Sequence, residues 1–226
     1  MKNRNVILIQ NLLRSLDLES LRNPEVISNL VRIFGIMPWG PSTTGPEAQY
    51  INPGGIAAIG QTPDQIAKAL VYLSKFKIES FCEVGVCYGG NFFFMSEYLR
   101  RFNPTIQCTG VDPTMNPDSD IREIIDLSDW MRHLSLTSNQ IAGREYDLVF
   151  IDGDHVAPWP ENDWNNLGKQ AKICMFHDLQ EPIWPDVAAF WITIKGLKGK
   201  VTMEYLDDPS GRSTHGIGLI HDKGAA

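Results

Sequence analysis

Phe81-Cys82-Glu83-Val84-Gly85-Val86-Cys87-Tyr88-Gly89-Gly90-Asn91 is the stretch from which the rest of the chain is read. An apolar run from Ile78 to Val84 stops at glycines, and a helical segment from Asn91 to Phe102 follows. Strand, tight turn and helix in that order put free backbone N–H groups at the positive end of a helix dipole. An anionic or polar cofactor group can dock there. Glycine suits such a turn because it takes positive φ and admits a ligand close to the backbone with no Cβ in the way.

Spacing separates two kinds of cofactor turn. A dinucleotide fingerprint reads G-x-G-x-x-G, and aligned on Gly85 this chain has Cys87 where the second glycine belongs. The pattern that fits is acidic-x-G-x-x-x-G-G, carried by Glu83, Gly85, Gly89 and Gly90. It resembles the first motif of class I S-adenosylmethionine (SAM)-dependent methyltransferases, which makes these four, with Tyr88 and Asn91, candidate cofactor-binding residues. The competing reading is a glycine turn that only packs a helix on a strand.

The 226 residues suffice for one sizeable α/β domain, read here as 61–226, behind a helical extension and lid-like loop over 1–60. With 43% hydrophobic and 21% charged residues, the chain reads as globular with a full core. A net charge of −7 opposes a nucleic-acid backbone as main partner, and the short run Lys195, Lys198, Lys200 reads as solvated surface. No stretch reaches transmembrane length, and Val6 to Ile9 is too short for a signal peptide. Cys82, Cys87, Cys108 and Cys174 lack zinc-like spacing and read as reduced packing residues. A cytoplasmic protein is expected, with no membrane partner; a homo-oligomer remains open.

Outward from the turn, residues 5–36 read as helical, split by Asn23 as N-cap and Pro24 at the first helical position. Residues 37–60 are dense in glycine and proline and read as a loop bordering the site, with Trp39 and Tyr50 as candidate substrate contacts. Thr62-Pro63-Asp64-Gln65 reads as a capping box. Strands are expected at 78–84, 106–111, 133–137, 146–151 and 172–176, with an antiparallel hairpin of 201–206 and 216–220 turning at 207–211. Helices are expected at 121–131, within 158–169 and from Pro185 to Ile194.

Strands alternating with helices give a mostly parallel sheet that binds ligands beyond its carboxyl edge. Glu83, Asp112, Asp152, His155, His177 and Asp178 all fall at such ends. Asp112, past the second strand, is placed to accept hydrogen bonds from a ribose diol, and Ser138 and Asn139 to line adenine. Asp152 and Asp178 follow adjacent strands and suit Mg²⁺, Mn²⁺ or Ca²⁺, Mg²⁺ first; His177 is a possible third ligand that would tilt the site toward a softer metal. Asp152 also borders the cofactor. His155, three residues on, is a candidate general base. Of the tryptophans, 159, 164, 184 and 191 surround these loops, as substrate walls or as packing.

Asp147-Leu148-Val149-Phe150-Ile151-Asp152-Gly153-Asp154-His155, followed by His177-Asp178, is similar to small-molecule O-methyltransferases of the macrocin and cephalosporin-biosynthesis type. The resemblance covers about residues 60–222. It implies a Rossmann-like, doubly wound seven-stranded sheet of order 3-2-1-4-5-7-6, a divalent metal on Asp152 and Asp178, and His155 as base. It departs at His177, where an acidic residue is commoner. The expected function is metal-assisted transfer of a methyl group from SAM to a hydroxyl of a small molecule. The alternatives are a non-catalytic SAM-fold binding module and an NAD(P)-dependent oxidoreductase, which Cys87 disfavours.

Overall fold

The computed structural model describes residues 4–37, 49–51, 58–114, 117–180, 184–206 and 215–225. Its strands are β1 (Ser80–Val84), β2 (Gln107–Val111), β3 (Met131–Leu134), β4 (Leu148–Ile151), β5 (Ile173–Phe176), β6 (Lys200–Tyr205) and β7 (Ile217–Asp222). They form one sheet in the order β3-β2-β1-β4-β5-β7-β6, parallel except that β7 runs antiparallel to both β5 and β6. This is the expected order, ending in the expected antiparallel pair.

The central strands β4 and β5 are apolar along their whole length because both faces are covered. Successive side chains of a strand point to opposite faces. Phe81, Leu148 and Phe150 therefore join one apolar cluster, while Cys82, Val149 and Ile151 join another. The first is shared with α1 (Arg4–Ser15), α2 (Pro24–Phe34), α3 (Pro63–Leu73), α4 (Gly90–Phe102) and α5 (Ser119–Asp126). The second is shared with α6 (Trp159–Asn166) and α7 (Pro185–Ile194).

The N-terminal helices belong to the first cluster. Val6, Ile9 and Leu13 of α1 and Ile27, Val31 and Phe34 of α2 are fully buried in it, and the Phe34 ring lies 5.9 Å from that of Phe93 on α4. A buried carboxylate locks α1 down: Glu97 of α4 receives Arg14 through two nitrogens, at 2.9 and 3.2 Å, and Gln10 at 2.6 Å. Asn23 caps α2 as expected, accepting from the Glu25 N–H.

Four local expectations are corrected. Thr62 makes no side-chain cap; Gln65 instead accepts the Gly216 N–H at 3.1 Å, tying α3 to the segment before β7. The capping box lies at Thr137 and Gln140. The helix expected at 121–131 ends at Asp126, where the Ser128 hydroxyl accepts the N–H groups of Trp130 and Met131, so β3 starts at Met131 rather than residue 133. Cys87 is exposed, whereas Cys82, Cys108 and Cys174 are buried. Trp39 and the hairpin turn 207–211 lie outside the described residues.

Candidate active site

The carboxyl ends of β1, β2, β4 and β5 open into a cavity of about 590 Å³. Backbone bonding holds its floor one residue past the strands. The Gly85 N–H donates to Val111 O and the Asp152 N–H to Val84 O, both at 2.9 Å, and the His177 N–H to Ile151 O at 3.2 Å. Gly85 has φ +89°, and a Cβ on it would lie 2.0 Å from the Asp152 carbonyl oxygen. The glycine there makes room for the neighbouring strand, not for a ligand. Gly89 takes φ 85° as it starts α4, and a Cβ on Gly90 would lie 1.9 Å from the Ala58 carbonyl oxygen, so the segment before α3 fills that space.

Of the residues chosen from sequence, Glu83, Gly85, Asn91, Asp112 and Ser138 line one side of the cavity. Asp152, His155, His177 and Asp178 line the other. Tyr88, Gly89, Gly90 and Asn139 do not reach it: the Tyr88 carbonyl accepts the Asp118 N–H, and Asn139 accepts from Asn166. Tyr50 is also outside the lining, with Arg32 stacked 5.7 Å above its ring. Trp159 and Trp184 face the cavity, whereas Trp164 and Trp191 are buried packing.

At the end of β2, Asp112 is held by the Cys87 N–H on one oxygen and by Thr114 N–H and hydroxyl on the other. Cys87 reaches this bond with φ 50°, a left-handed conformation rare for a residue with a side chain. Glu83 is fully buried and accepts from Asn91 at 3.1 Å; burial and the charge of Asp152 push its carboxyl well above the usual range.

At the far end of the cavity two carboxylates and three imidazoles meet. Asp152 Oδ1 lies 3.1 Å from His177 Nδ1 and 3.9 Å from His155 Nε2. Asp178 Oδ2 lies 2.6 Å from His155 Nε2 and 3.2 Å from His177 Nδ1, and its Oδ1 bonds His215 Nδ1 at 2.7 Å. Burial opposes charge on His177, but Asp178 and Asp152 outweigh it and raise this imidazole well above its ordinary value. Burial likewise opposes charge on Asp178, yet His177 and the close approach of the three imidazoles hold its carboxyl far below the usual range.

Sequence reasoning missed His215, 37 residues from Asp178 and without a local pattern to mark it. It also missed Gln61, whose Nε2 donates to Asp152 Oδ2 at 2.5 Å; lying between the loop 37–60 and the helix start at Thr62, it belongs to no pattern that would mark it.

Asp163 lines the cavity beside Ser138 and accepts its hydroxyl at 2.5 Å. Burial raises its carboxyl to about 6. The unfolded value is lower, so its favourable protonated state is kept below about pH 4 and stability is lost as pH rises through about 6. Asp163→Asn is expected to stabilise the protein by about 1–3 kcal/mol at pH 7 and by nothing at pH 3.5. Urea unfolding of both proteins at the two pH values checks it; an equal difference at both would refute the assignment.

Residues 82–178, less than half of the chain, match the family model Methyltransf_24, described as a methyltransferase domain. A search of curated proteins returned no match. The fold is similar to the O-methyltransferase TomG from Streptomyces achromogenes, solved with SAM, at 15% identity over 74% of this chain and 82% of that one, TM-score 0.54. It is similar to an O-methyltransferase from Bacillus cereus in complex with SAH, at 12% identity over 96% and 97%, TM-score 0.54. It is also similar to a putative RNA methyltransferase from Pyrococcus horikoshii, at 8% identity over 88% and 98%, TM-score 0.51. These likenesses establish the fold: the sheet is the Rossmann-like sheet of class I methyltransferases. Among the described residues no helix is long and apolar enough to cross a membrane.

Proposed function

We propose that the protein is a SAM-dependent methyltransferase acting on a hydroxyl of a small molecule with the help of a divalent ion. The observation that carries this reading is the charge of the cavity. Asp112, Asp152, Asp154 and Asp178 line it together with Glu83 and Asp163, whose carboxyls burial raises; no Lys or Arg does among the described residues, and the imidazoles His155, His177 and His215 are confined to its far end. Such a wall repels the pyrophosphate of a nicotinamide dinucleotide and favours a ligand bearing sulfonium and ammonium charges. The matched family segment and the shared fold support the same cofactor.

In this reading Asp112, its carboxylate fixed by Cys87 and Thr114, takes the ribose hydroxyls, and Ser138 borders the adenine. Glu83 and Asn91 stand beside the turn at the methionine end. The sulfonium already activates the methyl group, so the protein has mainly to align donor and acceptor and exclude water. Trp159 and Trp184 wall the acceptor side, Trp184 stacked on His155 with ring centroids 5.3 Å apart. The paired carboxylates Asp152 and Asp178 fit a divalent ion, which when bound lowers the pKa of a hydroxyl it touches. His155 turns its Nε2 onto Asp178. That direction aims the nitrogen at the paired carboxylates and not at an acceptor hydroxyl, so we place His155 with the ion's ligands, not as the base expected from sequence.

Calorimetric titration with S-adenosylhomocysteine tests the reading. Micromolar binding is expected, weakened about 10–100-fold by Asp112→Ala, the worth of a charge-assisted hydrogen bond or two. Binding of NAD(P) with no heat from S-adenosylhomocysteine would sink it.

A further inference from the structure

We infer that the cavity holds an imidazole-preferring divalent ion of the first transition row, such as Zn²⁺, Fe²⁺ or Co²⁺, bound by Asp152, His155 and Asp178. This deepens the methyl-transfer reading by naming the ion class and its ligands, and it departs from the expected Mg²⁺ on an acidic pair.

The three facing atoms, Asp152 Oδ1, His155 Nε2 and Asp178 Oδ2, all lie within 4.8 Å of one another. Around an ion with bonds of 2.0–2.2 Å, adjacent donor atoms stand roughly 3–3.5 Å apart; the observed 3.9 and 2.6 Å separations straddle that spacing. The 2.6 Å approach of Nε2 to Oδ2 is as close as a strong hydrogen bond, yet Nε2 is buried and has no aligned hydrogen-bond partner. Such a contact needs a proton or a metal ion between the two atoms, and because the ring is not aligned to donate along that line, an ion serves both. Two further buried atoms in residues bordering the cluster also lack partners: Gln61 Oε1 and His177 Nε2, in residues 3% and 5% exposed.

The support around these ligands is already built. Each carboxylate has one oxygen anchored from behind, Asp152 Oδ2 by Gln61 and Asp178 Oδ1 by His215, leaving the other turned to His155. His177 Nδ1 sits between the two forward oxygens at 3.1 and 3.2 Å, the distance of a donor orienting both. Such outer partners fix ligand orientation and are typical of ion sites. An imidazole among the ligands selects against Mg²⁺, which prefers oxygen in near-octahedral geometry and keeps its waters.

The test uses the full chain, stripped with a chelator and then loaded with Co²⁺. Proton NMR should show a solvent-exchangeable imidazole N–H signal shifted far outside the ordinary range, lost in His155→Asp. In that variant the ratio of Mg²⁺ to Co²⁺ dissociation constants should fall at least about tenfold, since an oxygen ligand replaces a nitrogen. Saturable Co²⁺ binding without a shifted imidazole signal would remove His155 from the ligand set and overturn the inference. Absence of Co²⁺ and Zn²⁺ binding in a protein that still binds S-adenosylhomocysteine would overturn it while leaving the methyl-transfer reading standing. The converse, ion binding without S-adenosylhomocysteine binding, would uphold the ion site and sink the methyl-transfer reading.

Discussion

Gly85→Ala is expected to destabilise the protein by about 2–5 kcal/mol and to abolish binding of S-adenosylhomocysteine in whatever fraction still folds. The residue sits at φ +89°, a backbone region that costs a residue with a Cβ about 1–2 kcal/mol. Its Cβ would also press on rigid backbone, 2.0 Å from Asp152 O, 2.4 Å from Asp152 C and 2.6 Å from Gly153 Cα. Overpacking a well-filled site adds about 1–3 kcal/mol more. Relief requires β1 and β4 to part where the Asp152 N–H bonds Val84 O, so both the turn and Asp152 are displaced. Urea unfolding followed by calorimetry on the refolded protein reads both effects. A variant of near wild-type stability and affinity would mean that the turn is far softer than this contact implies.

Asp178→Asn is expected to cost about 3–5 kcal/mol, the penalty for removing one partner from a buried charged cluster, and to abolish divalent-ion binding. The substitution isolates charge from backbone. Asp178 has φ 59°, and asparagine tolerates this left-handed conformation nearly as well as aspartate. Shape is kept, but His155, His177 and His215 then face an amide that carries no charge. Because Asp178 lies away from the glycine turn, affinity for S-adenosylhomocysteine should change less than threefold, or about 0.65 kcal/mol. Equilibrium unfolding and paired titrations with Co²⁺ and S-adenosylhomocysteine separate these outcomes. Unchanged stability would show that the three imidazoles do not depend on this carboxylate.

Legibility from sequence followed the range of the forces involved. The central strands were readable because double burial demands unbroken apolar runs, as in Leu148–Ile151 and Ile173–Phe176. β3 was misplaced because it lies at the sheet edge, where Arg132 and His133 interrupt the apolar pattern. Asp112, Asp152 and Asp178 stood out because a chain-local rule, the end of a parallel strand, marks them. Gln61 and His215 obey no such rule; they reach Asp152 and Asp178 only through tertiary folding, across 91 and 37 residues. The same limit misassigned Gly90, whose missing Cβ accommodates Ala58.

That contact makes the active centre a joint product of two distant parts of the chain. Ala58 leans on the first residue of α4, and three residues later Gln61 grips Asp152. A shift of α3 against α4 would travel along this short tether and re-aim a carboxylate at the cavity floor. A substitution that displaces α3 would therefore be felt at Asp152 without altering one residue of the sheet edge. Residues 58–61 thus couple α4 to the sheet edge rather than merely connecting two elements.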